Sequence, residues 1–267
     1  VSRLDEVFSK VKGENRVALM PFLTAGDPTL AHTERYILEM EKNGADIVEL
    51  GIPFSDPLAD GPTIQRASQR ALTGGVTLAG ILDFLKGLRQ KTSLPVVLMG
   101  YYNPIFHYGV SFFVKTAKSA GADGLIVPDL PPEEAGELIE AARKADLDTV
   151  FLLAPTSTPE RIRKIAEVSR GFIYYVSLTG VTGARTSLSA GIEDAIARIR
   201  EATTMPVCIG FGISSPEHVE RVRASADGVI VGSAVVGLIE QVSGESEGPV
   251  EVGKFVGKLK AATVKEG

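Results

Sequence analysis

Short apolar runs with almost no polar alternation recur along the chain, at 17–23, 46–50, 95–99, 123–127, 148–152, 172–178, 206–211 and 227–232. They are rich in Val, Ile and Leu, and such runs read as strands buried on both faces, which predicts a parallel sheet. Several share a lead-in of small residues and an aspartate. It occurs as Gly44-Ala45-Asp46, Gly121-Ala122-Asp123 and Ser225-Ala226-Asp227, and more weakly around Asp148. Between the runs, apolar residues at three- and four-residue spacing predict helices over 29–43, 77–91, 109–120, 132–145, 158–169, 190–202 and 215–224. An eighth helix opens near Ser233. Thr158-Pro159-Glu160 and Ser215-Pro216-Glu217 supply a cap, an early proline and an acid against the dipole. Eight strands alternating with eight helices predict an α/β fold of the (β/α)8 TIM-barrel type, a single domain over 1–267. Residues 2–12 form an extra N-terminal helix under its floor. The competing architecture, a doubly wound open sheet, usually has fewer strands and a Gly-rich first turn that is absent here.

Composition narrows the setting. Of 267 residues 44% are apolar and 23% charged, a globular balance that excludes disordered and low-complexity classes. The net charge of −5 argues against nucleic acid or an anionic membrane as partner. The one cysteine, Cys208, cannot form an internal disulfide, and the first residues carry no signal-like apolar core. The stretch 228–239 falls short of the roughly 20 apolar residues a membrane span needs. A cytoplasmic protein is expected.

In such a barrel chemistry belongs at the C-terminal ends of the strands. Glu49 shares strand parity with Ile47, so a carboxyl stands among apolar neighbours at the mouth, where burial would raise its pKa into a range useful for proton transfer. A strand-end salt bridge is the alternative. Asp60 ends a loop stiffened by Pro53, Pro57 and Pro62, and ordinary Asp-Gly turn chemistry competes with a functional role. Gly210-Phe211-Gly212-Ile213-Ser214 and Gly232-Ser233-Ala234 follow the last two strands, where barrels of this type often hold phosphate on backbone N–H groups and a helix N-terminus. The segment 177–186 lacks the ending of a nucleotide-binding P-loop and reads as a lid or as a plain surface loop. Tyr174 and Tyr175 point to opposite faces of their strand. His32, His107 and His218 lie apart without metal-ligand spacing, so no metal is expected. No lysine falls inside a predicted strand, which removes a Schiff-base nucleophile. Carboxylate acid–base chemistry on a phosphorylated small molecule remains.

The stretch Val48-Glu49-Leu50-Gly51-Ile52-Pro53-Phe54-Ser55-Asp56-Pro57-Leu58-Ala59-Asp60-Gly61 resembles the signature of the tryptophan synthase α-subunit family. Further similarity lies in Pro21-Phe22-Leu23-Thr24-Ala25-Gly26-Asp27-Pro28, Pro128-Asp129-Leu130-Pro131 and Gly180-Val181-Thr182-Gly183-Ala184. The resemblance implies a lyase that cleaves indole-3-glycerol phosphate to indole and glyceraldehyde 3-phosphate with no cofactor in this chain. It assigns proton shuttling to Glu49, stabilisation of the indolenine to Asp60, and an active-site place to Tyr174. Phe22, Met99, Ile126 and Phe211 would line the indole pocket, and Thr182 would meet Asp60 from the lid. Gly183, Gly212, Gly232 and Ser233 would hold the phosphate. It also implies a pyridoxal-phosphate β subunit docked over the mouth in an α2β2 heterotetramer, touching 53–60 and 128–132. Three other readings stay open: a stand-alone lyase of the same family releasing free indole, a non-catalytic phosphate-binding barrel, and a barrel isomerase or epimerase.

Overall fold

The computed structural model describes residues 1–177, 188–210 and 212–265. Its strands are β1 (Ala18–Thr24), β2 (Val48–Gly51), β3 (Val96–Met99), β4 (Gly124–Ile126), β5 (Asp148–Val150), β6 (Leu152–Leu153), β7 (Ile173–Val176), β8 (Val207–Gly210) and β9 (Gly228–Val231). The helices begin with α1 (Arg3–Gly13), α2 (Leu30–Lys42), α3 (Pro62–Thr73), α4 (Leu78–Leu88), α5 (Tyr102–Tyr108) and α6 (Val110–Ala120). They continue with α7 (Gly136–Ala145), α8 (Pro159–Val168), α9 (Leu188–Ala202), α10 (Pro216–Val222), α11 (Ser233–Val242) and α12 (Gly248–Ala261).

All strand pairs are parallel, in the order β5-β4-β3-β2-β1-β9-β8-β7-β6. The two ends of that order are consecutive pieces of one strand broken at Phe151, so the sheet meets itself and the expected (β/α)8 barrel is formed. Alternate residues divide between two cores. Met20, Ile47, Val97, Ile126, Val150, Tyr174, Cys208 and Ile230 fill the interior, while Leu19, Val48, Leu98, Tyr175, Ile209 and Val229 meet the surrounding helices.

The N-terminal helix sits where the sequence placed it. Ser2 closes a capping box with Asp5, and Leu4, Phe8 and Val11 enter the interior core from below. Phe8 packs on Phe172 with ring centroids 5.8 Å apart. Thr29, Thr77 and Thr158 cap their helices through their hydroxyls, whereas Ser215 occupies its cap position without a side-chain bond.

Three helices depart from the expected plan. α5 is a short helix of seven residues that buries only Ile105. α12 packs Val252, Val256 and Leu259 inward, with Gly253 buried beside them. α3 buries only Ala67, Ser68 and Ala71, too little apolar bulk to register as a period. It is nevertheless firmly held, because Arg70 makes a bidentate bond to buried Asp27 (2.8 Å each) and a 2.7 Å bond to Glu240 on α11. Arg66 grips the same glutamate at 2.7 and 2.9 Å. No single helix among the described residues is long and apolar enough to cross a membrane.

Candidate active site

β2 carries one ionisable side chain. Glu49 is 1% exposed, and its Oε2 has no hydrogen-bond partner among the described residues. Among the described residues Glu49 forms no strand-end salt bridge. Burial pushes the Glu49 carboxyl up to about 8, and the charge of Asp60 adds to the effect. A carboxyl in this state holds its proton at neutrality and can give it up within the site.

Asp60 is half-buried on the loop between β2 and α3. Its backbone N–H donates to the Pro57 carbonyl at 3.0 Å, and the Asp60 carbonyl accepts from Gln65 Nε2 at 2.8 Å. The Tyr101 hydroxyl donates to Asp60 Oδ2 at 3.1 Å and accepts the Ala59 N–H at 2.9 Å. Burial raises the Asp60 pKa, while the bond from Tyr101 lowers it.

Tyr174 stands inside the barrel, and burial followed by the nearby Glu49 charge drives its phenol well above the usual range. It fits because Gly210 has no side chain: a Cβ there would overlap the Tyr174 ring and hydroxyl.

Phe22, Met99 and Ile64 line a narrow cavity together with Thr24, Ser68, Asp60 and Tyr101. The Phe22 ring lies over Gly51, where a Cβ would come within 2.6 Å of it. Thr24 Oγ1 is buried without a partner among the described residues. Ile126, expected in the pocket, is fully buried in the interior core and does not line this cavity.

Of the phosphate candidates, Gly232 flanks the same cavity. Gly232 is the N-cap of α11 and supplies no side-chain cap, which leaves the first-turn N–H groups open to an anion. A Cβ on Gly232 would lie 3.9 Å from both Phe22 and Ile64, so this helix start faces the cavity wall. Ser233 is exposed beside it. Gly212 has φ +81°, a conformation that favours glycine, and His218 Nδ1 lies 2.9 Å from its carbonyl oxygen. Thr182, Gly183 and Phe211 lie outside the described residues, as does nearly all of the proposed lid.

Among the described residues no group of three or more His, Cys, Asp or Glu side chains could hold a metal ion. Sequence reasoning passed over Tyr101, Thr24, Ile64 and Ser68. For Tyr101 one signal was present: Gly100-Tyr101 directly follows an apolar run, at the strand end where barrel sites are built.

Comparison with known proteins bears on this geometry. Residues 8–264 match the family described as tryptophan synthase alpha chain. The tryptophan synthase alpha chain of Geotalea uraniireducens is 54% identical over 261 residues, covering 98% of this chain and 97% of that relative. The crystal structure of tryptophan synthase subunit alpha from Legionella pneumophila superposes with a TM-score of 0.91 at 36% identity, with 98% of each chain covered. A crystal structure of tryptophan synthase from M. tuberculosis matches with a TM-score of 0.90 at 35% identity over 100% of both chains.

Proposed function

The chain belongs to the tryptophan synthase alpha chain family, and from that premise we propose how its own residues perform the family's lyase reaction. That reaction is the retro-aldol cleavage of indole-3-glycerol phosphate to indole and glyceraldehyde 3-phosphate. The observation that carries the assignment is the proton-holding Glu49, whose Oε2 has no partner among the described residues, near a half-buried and hydrogen-bonded Asp60.

The two carboxyls have environments that separate their roles. Glu49 delivers its proton to indole C3, and the ring becomes an indolenine with positive charge on its nitrogen. Asp60 accepts the indole N–H bond and stabilises that charge, an electrostatic contribution that grows in a cavity shielded from water. The Glu49 carboxylate then removes the proton from the glycerol hydroxyl next to the ring. The carbon–carbon electrons return to the indole, the aldehyde forms, and Glu49 is again protonated. Phe22 and Met99 flank the ring. Gly212, Gly232 and Ser233 take the phosphate on backbone N–H groups, with Gly183 from the lid. The Thr182 hydroxyl would bond Asp60 on closure, and Tyr174 shields Glu49 from below.

The α chain has no cofactor of its own, and the family's β subunit carries pyridoxal phosphate and forms the complex with it. We read residues 1–267 as one barrel domain and place the enzyme in the cytoplasm, on its lone cysteine. Asp60→Asn tests the mechanism: a neutral amide cannot balance the indolenine charge, so indole release should fall at least roughly 100-fold. Parental turnover would return Asp60 to turn chemistry. Measuring the parent with and without a β subunit separates the two family readings, since a stand-alone lyase reaches full rate alone.

A further inference from the structure

The loop that carries Asp60 is gripped by one ring from the neighbouring loop. Tyr101 follows β3 and is 6% exposed. Its ring packs on Phe54 at the start of the 52–61 loop, with centroids 5.3 Å apart and planes inclined by 32°. Its hydroxyl meets the end of the same loop, accepting the Ala59 N–H and donating to Asp60 Oδ2. A phenol has one proton to give. With Ala59 donating into the oxygen, that proton is committed to Asp60. The backbone next to Tyr101 is anchored as well, because the Tyr102 N–H donates to both carboxylate oxygens of Asp129 at 2.9 and 3.2 Å.

We propose that Tyr101 is a positioning residue for the retro-aldol step, holding the Asp60 carboxylate in one rotamer and in its ionised form toward the cavity. The proposal rests on the reading of Asp60 given above. Its physical basis is a competition. Burial favours the neutral acid at Asp60, and the phenol hydrogen bond favours the anion. The other titratable groups coupled to this pair among the described residues are Glu49 from β2, Tyr174 from β7 and, on the Tyr101 side, Asp129. Removing the phenol oxygen leaves the burial and the acidic neighbours in place, so the ionised fraction of Asp60 must fall.

The test measures kcat and KM for indole release across pH in the complex with the β subunit. Parent, Tyr101→Phe, Asp60→Asn and a protein with 3-fluorotyrosine in place of Tyr101 are compared. Phenylalanine keeps the stacking on Phe54 and loses only the hydroxyl. We expect kcat to fall by about tenfold near neutrality with KM within about twofold, and the acid limb of kcat/KM to move to higher pH. The fluorinated phenol is a stronger donor and should move that limb to lower pH, which keeps the test open should Tyr101→Phe misfold. An acid limb that stays at its parental position in both Tyr101 variants overturns the proposal, as does an effect confined to KM. An inactive Asp60→Asn protein beside an unshifted Tyr101→Phe profile removes Tyr101 alone. Parental turnover in Asp60→Asn removes the reading of Asp60 itself, and the proposal with it.

Discussion

Three aspartates at the barrel floor and Glu49 at its mouth are treated in opposite ways. At the floor, Asp46 accepts the Leu19 N–H at 2.9 Å and is met by Arg16 at 2.8 and 2.9 Å and by Lys260 at 2.8 Å. Asp123 accepts the Val96 N–H at 2.8 Å and is bonded by Arg89 and Arg3. Asp227 accepts the Val207 N–H at 2.9 Å and pairs with Arg200. Each aspartate precedes one strand and clamps the beginning of the strand before it in sequence: β1, β3 and β8. At the mouth, Glu49 is more deeply buried than any of the three, and its Oε2 receives nothing from the described residues. A buried carboxylate given donors becomes structure, because an unmade bond there costs the full desolvation of the charge. One denied donors keeps its proton and becomes available for chemistry.

The strongest way to break this contrast is Glu49→Gln. Turnover should fall roughly 10²–10⁴-fold, the usual contribution of a placed acid–base group, and near-parental indole release would end the assignment. The same variant reports on stability. The Glu49 pKa is about 8 in the folded chain against an ordinary 4.5, so between these values the folded state binds more protons than the unfolded one. Its stabilising effect is complete below pH 4.5 and is lost as pH rises to about 8. Glutamine cannot ionise, so melting curves of Glu49→Gln should decline less between pH 5 and pH 9 than those of the parent.

Asp123→Ala probes the other end. It leaves the partly buried Arg89 without its carboxylate and frees the Val96 N–H, and should lower unfolding free energy by roughly 3–5 kcal/mol. The folded fraction should keep its kcat. Denaturant titration paired with an activity measurement checks this, and a catalytic defect at unchanged stability would contradict the division of labour. Gly232→Ala has the smallest expected effect and sharpens the account of the mouth. The new methyl meets no described atom closer than 3.9 Å, so the melting temperature should hold. Crowding the open N–H groups of α11 should weaken glycerol phosphate binding about tenfold, and unchanged affinity in a calorimetric titration would move the phosphate elsewhere.

What the sequence disclosed follows from where side chains point. Strands buried on both faces leave uninterrupted apolar runs, so all eight barrel positions were legible, and the parity of Ile47 and Glu49 was enough to bring the carboxyl inward. The aspartate lead-ins were visible as a repeat, but their clamping of the preceding strand was not, because the bonds join residues about 20–30 positions apart. α3 escaped notice since it binds through Arg66 and Arg70 rather than through an apolar stripe. Tyr101 escaped because its partners sit on another loop, and no local spacing encodes a meeting across 41 residues.

The pairing of β1 with β9 has a consequence for how the chain is made. Ala18 to Pro21 find their second neighbour only in Gly228 to Val231, which leave the ribosome long after them. Until then one flank of β1 is an open edge, with N–H and C=O groups free to pair with a wrong strand or another chain. A partial barrel of the earlier units cannot seal itself by local rearrangement, because closure is a contact of very high sequence separation and carries the slow folding typical of such contacts. Nascent chains arrested before β9 should therefore be the form of this protein most in need of a chaperone, and ring closure should come as one late event when Gly228–Val231 emerges.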